Sequence, residues 1–278
     1  MMLEALAAII AIVMFCGFSL TIWRRTDIRG DKKTWAKLAS SPSPDNEIFD
    51  QKMVADAPEP ARRFFTYMID PGARLYRTVS LEMRGELGMG TKENPGYRLF
   101  RAKQILAPPH GFVWRLNAGA ISGSDGALTG QSWTRFWLFG LFPIIRIADD
   151  PDHLRSAFGR LIAETAFWAP ASLLPGKYVQ WEAAGPDIAR ATVDFGGYQQ
   201  SVDIELAATG EPRSVSIQRW SNVNDEKTYR LQPFGGQLSE FRDFNGYRLP
   251  TRIVGGNHFG TDKYFPFFKA EVTEIHLA

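Results

Sequence analysis

From Tyr76 onward the chain alternates apolar and polar residues with a period of two, and this pattern narrows the possible folds more than any other feature. In "GYQQSVDIEL", Tyr198, Gln200, Val202, Ile204 and Leu206 fall on one side, and Gln199, Ser201, Asp203 and Glu205 on the other. Successive strand side chains point to opposite faces, so this segment is expected to be a strand with one buried and one wet face. "DIARATVDF" repeats the pattern through Ala189, Ala191, Val193 and Phe195. In "EFRDFNGYRLPTRIV" the pair Asn245-Gly246 supplies the positive φ of a two-residue hairpin. Further strands are expected over 77–88, 97–107, 111–118, 178–183, 213–221 and 264–277. "GELGMG" (85–90) and "GGQ" (235–237) read as glycine turns at strand ends, without a phosphate-binding signature. Such a run predicts a mainly β, α+β domain built on an antiparallel meander.

One helix is expected before the strands and one among them. "PEPARRFFTYMI" (58–69) has Pro60 at an early helical position and Phe64, Phe65 and Met68 on one face. Over 152–168, Asp149 or Asp150 can cap and Pro151 can begin a helix. Leu154, Phe158, Leu161, Ile162 and Thr165 then recur at helical spacing until Pro170 ends it. The preceding "RFWLFGLFPII" is too short to cross a membrane and must be buried, lipid-facing or closing a pocket.

Residues 5–23, "ALAAIIAIVMFCGFSLTIW", contain no charge and are long enough to span a hydrocarbon core as a helix. No Lys or Arg precedes them, as a cleaved signal peptide would require, so they read as an uncleaved single-pass anchor. Arg24, Arg25, Arg29, Lys32, Lys33 and Lys37 all follow the span. The positive-inside rule then predicts the inner (cytoplasmic) membrane with the domain on the cytoplasmic side, the basic cluster also being able to rest on membrane lipids. Three regions follow: an anchor over 1–23, a basic stem with a Ser/Pro linker over 24–51, and a domain over 52–278. Of the formal charge of +2, residues 1–23 hold −1 and 24–37 hold +4, leaving −1 for the rest. A domain so nearly neutral lacks the positive field that nucleic acid demands.

Cys16, the only cysteine, lies in the apolar run, and His110, His153, His258 and His276 have no metal-ligand spacing, so neither a metal nor another cofactor is expected. No nucleophile motif, P-loop or dinucleotide fingerprint occurs. The remaining candidates are aromatic and charged. Arg160 and Glu164 are one helical turn apart, which suits either an ordinary ion pair or a pair directed into the concavity of the sheet. Trp114, Trp133, Trp137, Trp168, Trp181 and Trp220 supply either core or the walls of a pocket for a hydrophobic ligand. A cavity bordered by Trp114, Trp168 and Trp181 and closed by 136–145 is the expectation.

The ordered pieces "PEPARRFF", "FRAKQILAPPHGFVWRL", "GRLIAETAFWAPASLLP", "YVQWEA" and "FRDFNGYRLPTRI" resemble a bacterial family known as a domain of unknown function, over about residues 54 to 277. Gln104, Phe112, Trp114, Arg160, Glu164, Trp168, Pro170 and Trp181 fall at its characteristic positions. "DFNGYRLPTRI" is also similar to the late hairpin of the periplasmic lipoprotein-carrier (LolA-like) superfamily, in which a curved antiparallel sheet wraps helices and holds acyl chains. This resemblance implies a LolA-like half-barrel with helices on its concave face. It also implies a membrane-anchored module for a hydrophobic or lipid-like ligand, touching Gln104, Trp114, Arg160, Glu164, Trp168 and Trp181. The alternatives are a hydrolase-type enzyme using Glu164 as general acid or base, and a non-catalytic envelope interaction protein.

Overall fold

The computed structural model describes residues 1–41 and 47–278, so the middle of the Ser/Pro linker lies outside the described residues. Among these, thirteen strands form one antiparallel sheet. They are β1 (Val79–Gly88), β2 (Tyr97–Ala107), β3 (Gly111–Ala118), β4 (Ile121–Leu128), β5 (Gln131–Leu138), β6 (Phe142–Ala148), β7 (Val179–Gly185), β8 (Ile188–Phe195), β9 (Tyr198–Leu206), β10 (Pro212–Ser221), β11 (Arg230–Phe244), β12 (Tyr247–Asn257) and β13 (Phe265–Leu277). Two meanders, β1–β6 and β7–β13, join where β1 pairs β13. The sheet stays open, with β6 and β7 at its edges. Asn245 and Gly246 connect β11 to β12 with φ of 51° and 86°, the left-handed conformation that Asn tolerates and that Gly, lacking a Cβ, adopts freely.

Three helices accompany the sheet: α1 (Met2–Ala39), α2 (Glu59–Met68) and α3 (Pro151–Trp168). The Asp150 carboxylate caps α3 by accepting from the Asp152 and His153 backbone N–H groups. Adjacent residues of α3 meet distant strands: Gly159 lies against Gln200 of β9 and Ile217 of β10, while Arg160 bonds Asp125 of β4. In the sheet β4 and β10 are seven places apart, which on a flat sheet is about 33 Å at ~4.8 Å per strand. One helix of about 10–12 Å diameter cannot bridge that gap, so the sheet curls around α3. α2 closes one end of the trough against β7, β8 and β12, burying Phe64, Phe65 and Met68 completely. Each such side chain contributes about 1.5–3 kcal/mol relative to exposure.

Four findings depart from the sequence reading. The first is that α1 runs unbroken through the basic stem and lays its second half on the outer face of the sheet. Trp23, Asp27, Asp31 and Leu38 form the contacting stripe, which the six surrounding cations conceal in the sequence. Leu38 packs with Ile105, Val113 and Trp133 in a small core separate from the main one. The second is that "ISGSDGAL" is a strand, β4, although small residues obscure its alternation. The third is that the apolar stretch 135–145 is the β5–β6 hairpin. The fourth is that Gly235, Gly236 and Gln237 lie inside β11 and Gly85 inside β1, not in turns. Gly235 and Gly236 pair with Gly256 and Gly255 across β12, and a side chain on Gly236 would come within 2.7 Å of the Gly255 Cα. These glycines permit the close approach of strands that strong curvature demands.

Candidate functional site

Strand alternation decides what enters the trough. On β3 the inner face carries Phe112, Trp114, Leu116 and Ala118, and on β2 it carries Phe100, Ala102, Gln104 and Leu106. Gln104 is thus a polar residue in an apolar row, and it pairs directly with Trp114. Trp114 in turn pairs with Asp125 on β4, and Asp125 with Thr134 on β5. The polar row Gln104, Asp125 and Thr134 receives the polar flank of α3, which carries His153, Arg160 and Glu164.

Arg160 is the centre of the resulting network. Its Nε donates to Glu164 Oε1 at 2.6 Å and its Nη1 to Asp125 Oδ2 at 2.5 Å. Glu164 Oε2 accepts from the Gln104 amide, and Asp125 Oδ1 from the Thr134 hydroxyl at 2.8 Å. The guanidinium also lies 4.8 Å from the Phe112 ring centre and 5.1 Å from that of Trp114. Burial draws the Arg160 pKa down, but Glu164 and Asp125 outweigh it and hold the group above its ordinary range. His153 completes the row, its Nδ1 and Nε2 within 2.8 and 2.9 Å of the Ser132 and Thr134 hydroxyls. Burial pushes the His153 pKa below the usual imidazole value, against the pull of Asp125.

Beside this network lies a cavity of about 400 Å³. Its walls are predominantly apolar and include Trp114, Phe136, Phe167, Trp168, Phe234 and Phe268. Gly88, Ala118, Ala163, Gly235, Gly236 and Gly255 also line it. Two of its lining residues carry a polar group with spare hydrogen-bonding capacity. The Trp114 indole N–H is buried without an acceptor. Arg219 uses its Nε on Ser156, to the carbonyl at 3.3 Å and the hydroxyl at 3.1 Å, and makes no ion pair among the described residues. Its guanidinium lies 4.8 Å from the Phe234 ring centre. Burial and the nearby Arg160 charge pull the Arg219 pKa down to about 10, so it remains charged at neutral pH.

Of the residues singled out in the sequence, Gln104, Trp114, Arg160, Glu164 and Trp168 come together at this site. Trp181 does not: it packs at a tilt against Phe64 and edge-on against Phe65 of α2, and donates to the Leu173 carbonyl at 2.8 Å. Trp133 and Trp137 are on the outer face with α1, and Trp220 donates to Asp152 at 2.7 Å. Phe136, Ile144 and Ile145 of the apolar hairpin do line the cavity. Asp125 and Arg219 are the residues the sequence reading missed. For Arg219 a signal existed: it follows Val215 and Ile217 on the apolar side of β10.

Solved structures with a related arrangement include a LolA superfamily protein from Nitrosomonas europaea, 12% identical with a TM-score of 0.41, covering 80% of this chain and 93% of that one. Another is an outer membrane lipoprotein-sorting protein domain from Vibrio parahaemolyticus, 11% identical with a TM-score of 0.38, covering 72% of this chain and 85% of that one. A comparison with curated protein sequences finds no match. The model of a family of unknown function, DUF6544, matches residues 47–270, and the chain belongs to that family.

Proposed function

We propose that the protein is a membrane-anchored binding module that holds a hydrophobic, acyl-type ligand in the trough between α3 and the sheet. The observation that carries this reading is the cavity: about 400 Å³ of space with aromatic and aliphatic walls. Small-molecule sites have this size and character, and a dry apolar cavity binds hydrocarbon without any reactive group. The unpaired Arg219 guanidinium suits a ligand whose polar end carries acceptor oxygens. α1 supplies the anchor, with an uncharged run of 19 residues followed by six basic residues. That order favours a single pass through the inner membrane with the domain in the cytoplasm.

The catalytic alternative has less support. Both oxygens of Glu164 already accept bonds from Arg160 and Gln104, which leaves this carboxylate little freedom to exchange a proton with a substrate. The test of the binding reading is native mass spectrometry of the full chain in detergent, together with titration by a fluorescent fatty acid. Co-purifying acyl lipid and saturable binding are expected, and Ala163→Trp, which fills the cavity from α3, should abolish both while the protein stays folded. Wild-type protein that is free of lipid and shows no saturable binding to fatty acids, phospholipids or sterols refutes it.

A further inference from the structure

The antiparallel register brings the β1–β2, β3–β4 and β5–β6 turns to one edge of the sheet. The cavity wall reaches this edge through Met89, Ala118, Ile121 and Ile144. Large apolar side chains there face solvent: Leu99 is 77% exposed, Phe139 74%, Phe142 53% and Met89 51%. Phe139, at the tip of the β5–β6 hairpin, is held at a φ of 52°, an uncommon conformation for a bulky residue.

α1 fixes where this edge stands. Its Trp23 meets Trp137 edge-on at 5.7 Å, and its Arg24 donates to Ser122 at 3.0 Å and lies beside Gly140. These partners belong to the β3–β4 and β5–β6 turn edge. Fifteen residues later Leu38 packs against Ile105, Val113 and Trp133, toward the opposite ends of the same strands. α1 therefore runs along β2–β6 from that edge to the far one, and in the other direction its uncharged, unburied run projects past the edge. A bilayer crossed by residues 5–23 must lie on the side of the turns.

We propose that the turn edge carrying Met89, Leu99, Phe139 and Phe142 lies on the lipid bilayer entered by α1, so that the cavity mouth faces the membrane and exchanges its ligand directly with it. The inference rests on the anchored binding reading above, and goes beyond it by assigning a second membrane contact and the route of the ligand. Trp23 and the cations at 24, 25 and 29 then sit at the interfacial level where such residues are enriched.

The test uses the full chain with Cys16→Ala, reconstituted in phosphatidylcholine vesicles containing a spin-labelled phosphatidylcholine. A nitrobenzoxadiazole label is placed by Phe139→Cys, Phe142→Cys or, at the β4–β5 turn on the far edge, Thr129→Cys. Interfacial side chains reach about 5–10 Å into the headgroup–acyl boundary, so quenching at 139 and 142 should be roughly fivefold that at 129. The same ratio in an Ala163→Trp background supports docking of the edge independently of any ligand. Equal quenching at all three positions overturns the proposal, and if acyl ligand is still retained in that experiment the binding reading survives it.

Discussion

Replacing Arg160 by Met removes the one cation that touches both carboxylates of the inner network. The side chains of Arg160 and Glu164 are 13% and 15% exposed, and that of Asp125 is 17%. Removing one partner of a buried ion pair costs about 3–5 kcal/mol, because the other charge is left desolvated without compensation. Thr134 still donates to Asp125 and Gln104 to Glu164, so the lower end, about 3 kcal/mol, is expected. At about 2–4 °C per kcal/mol for a domain of this size, the melting temperature should fall by about 6–12 °C. Tryptophan-fluorescence melts of the full chain in detergent measure this. A double-mutant cycle with Glu164→Gln should return a coupling of about 1–3 kcal/mol. A loss below about 1 kcal/mol with coupling near zero, the behaviour of a solvated surface pair, would refute the burial argument.

Arg219→Met keeps the bulk of the side chain and removes its charge, so affinity for a fluorescent fatty acid should fall by about tenfold or more, the loss of one charge-assisted bond. Binding of the uncharged methyl ester should be nearly unchanged, and equal losses for both ligands would exclude a role for Arg219 at the polar end. The depressed pKa of His153 means that the unfolded chain binds more protons than the folded one in the window below about pH 6.5. Its contribution is therefore complete above that pH and is lost as pH falls through the lower, folded-state value; His153→Gln should flatten the stability profile there, as acid-range denaturation curves will show. Finally, a reporter fused after Ala278 should be active in the cytoplasm, and replacing Arg24, Arg25, Lys32 and Lys33 together should weaken or invert that orientation; alkaline phosphatase active outside the membrane would contradict it.

What the sequence determined by itself was local. Alternation in β9, the helical recurrence from Leu154 to Thr165 and the Asn245-Gly246 turn each depend on residues within one element, so they could be read in advance. The i,i+4 relation of Arg160 and Glu164 is likewise a property of a single helix. Tertiary structure decided the rest. Asp125 is 35 residues from Arg160 and Gln104 is 60 from Glu164, and only the curl of the sheet around α3 joins them. Nothing in the spacing of the tryptophans could separate Trp114, which lines the cavity, from Trp181, which packs against α2. The β5–β6 hairpin hid its alternation because both of its faces are partly covered, one by α1 and the other by the cavity wall. The basic stem hid its contact stripe because a helix needs few residues to dock, and all of its cations except Arg24 are exposed. Periodicity reports how much of an element is buried; which partner buries it depends on strand order and twist, and these are set by pairings between segments far apart in the chain.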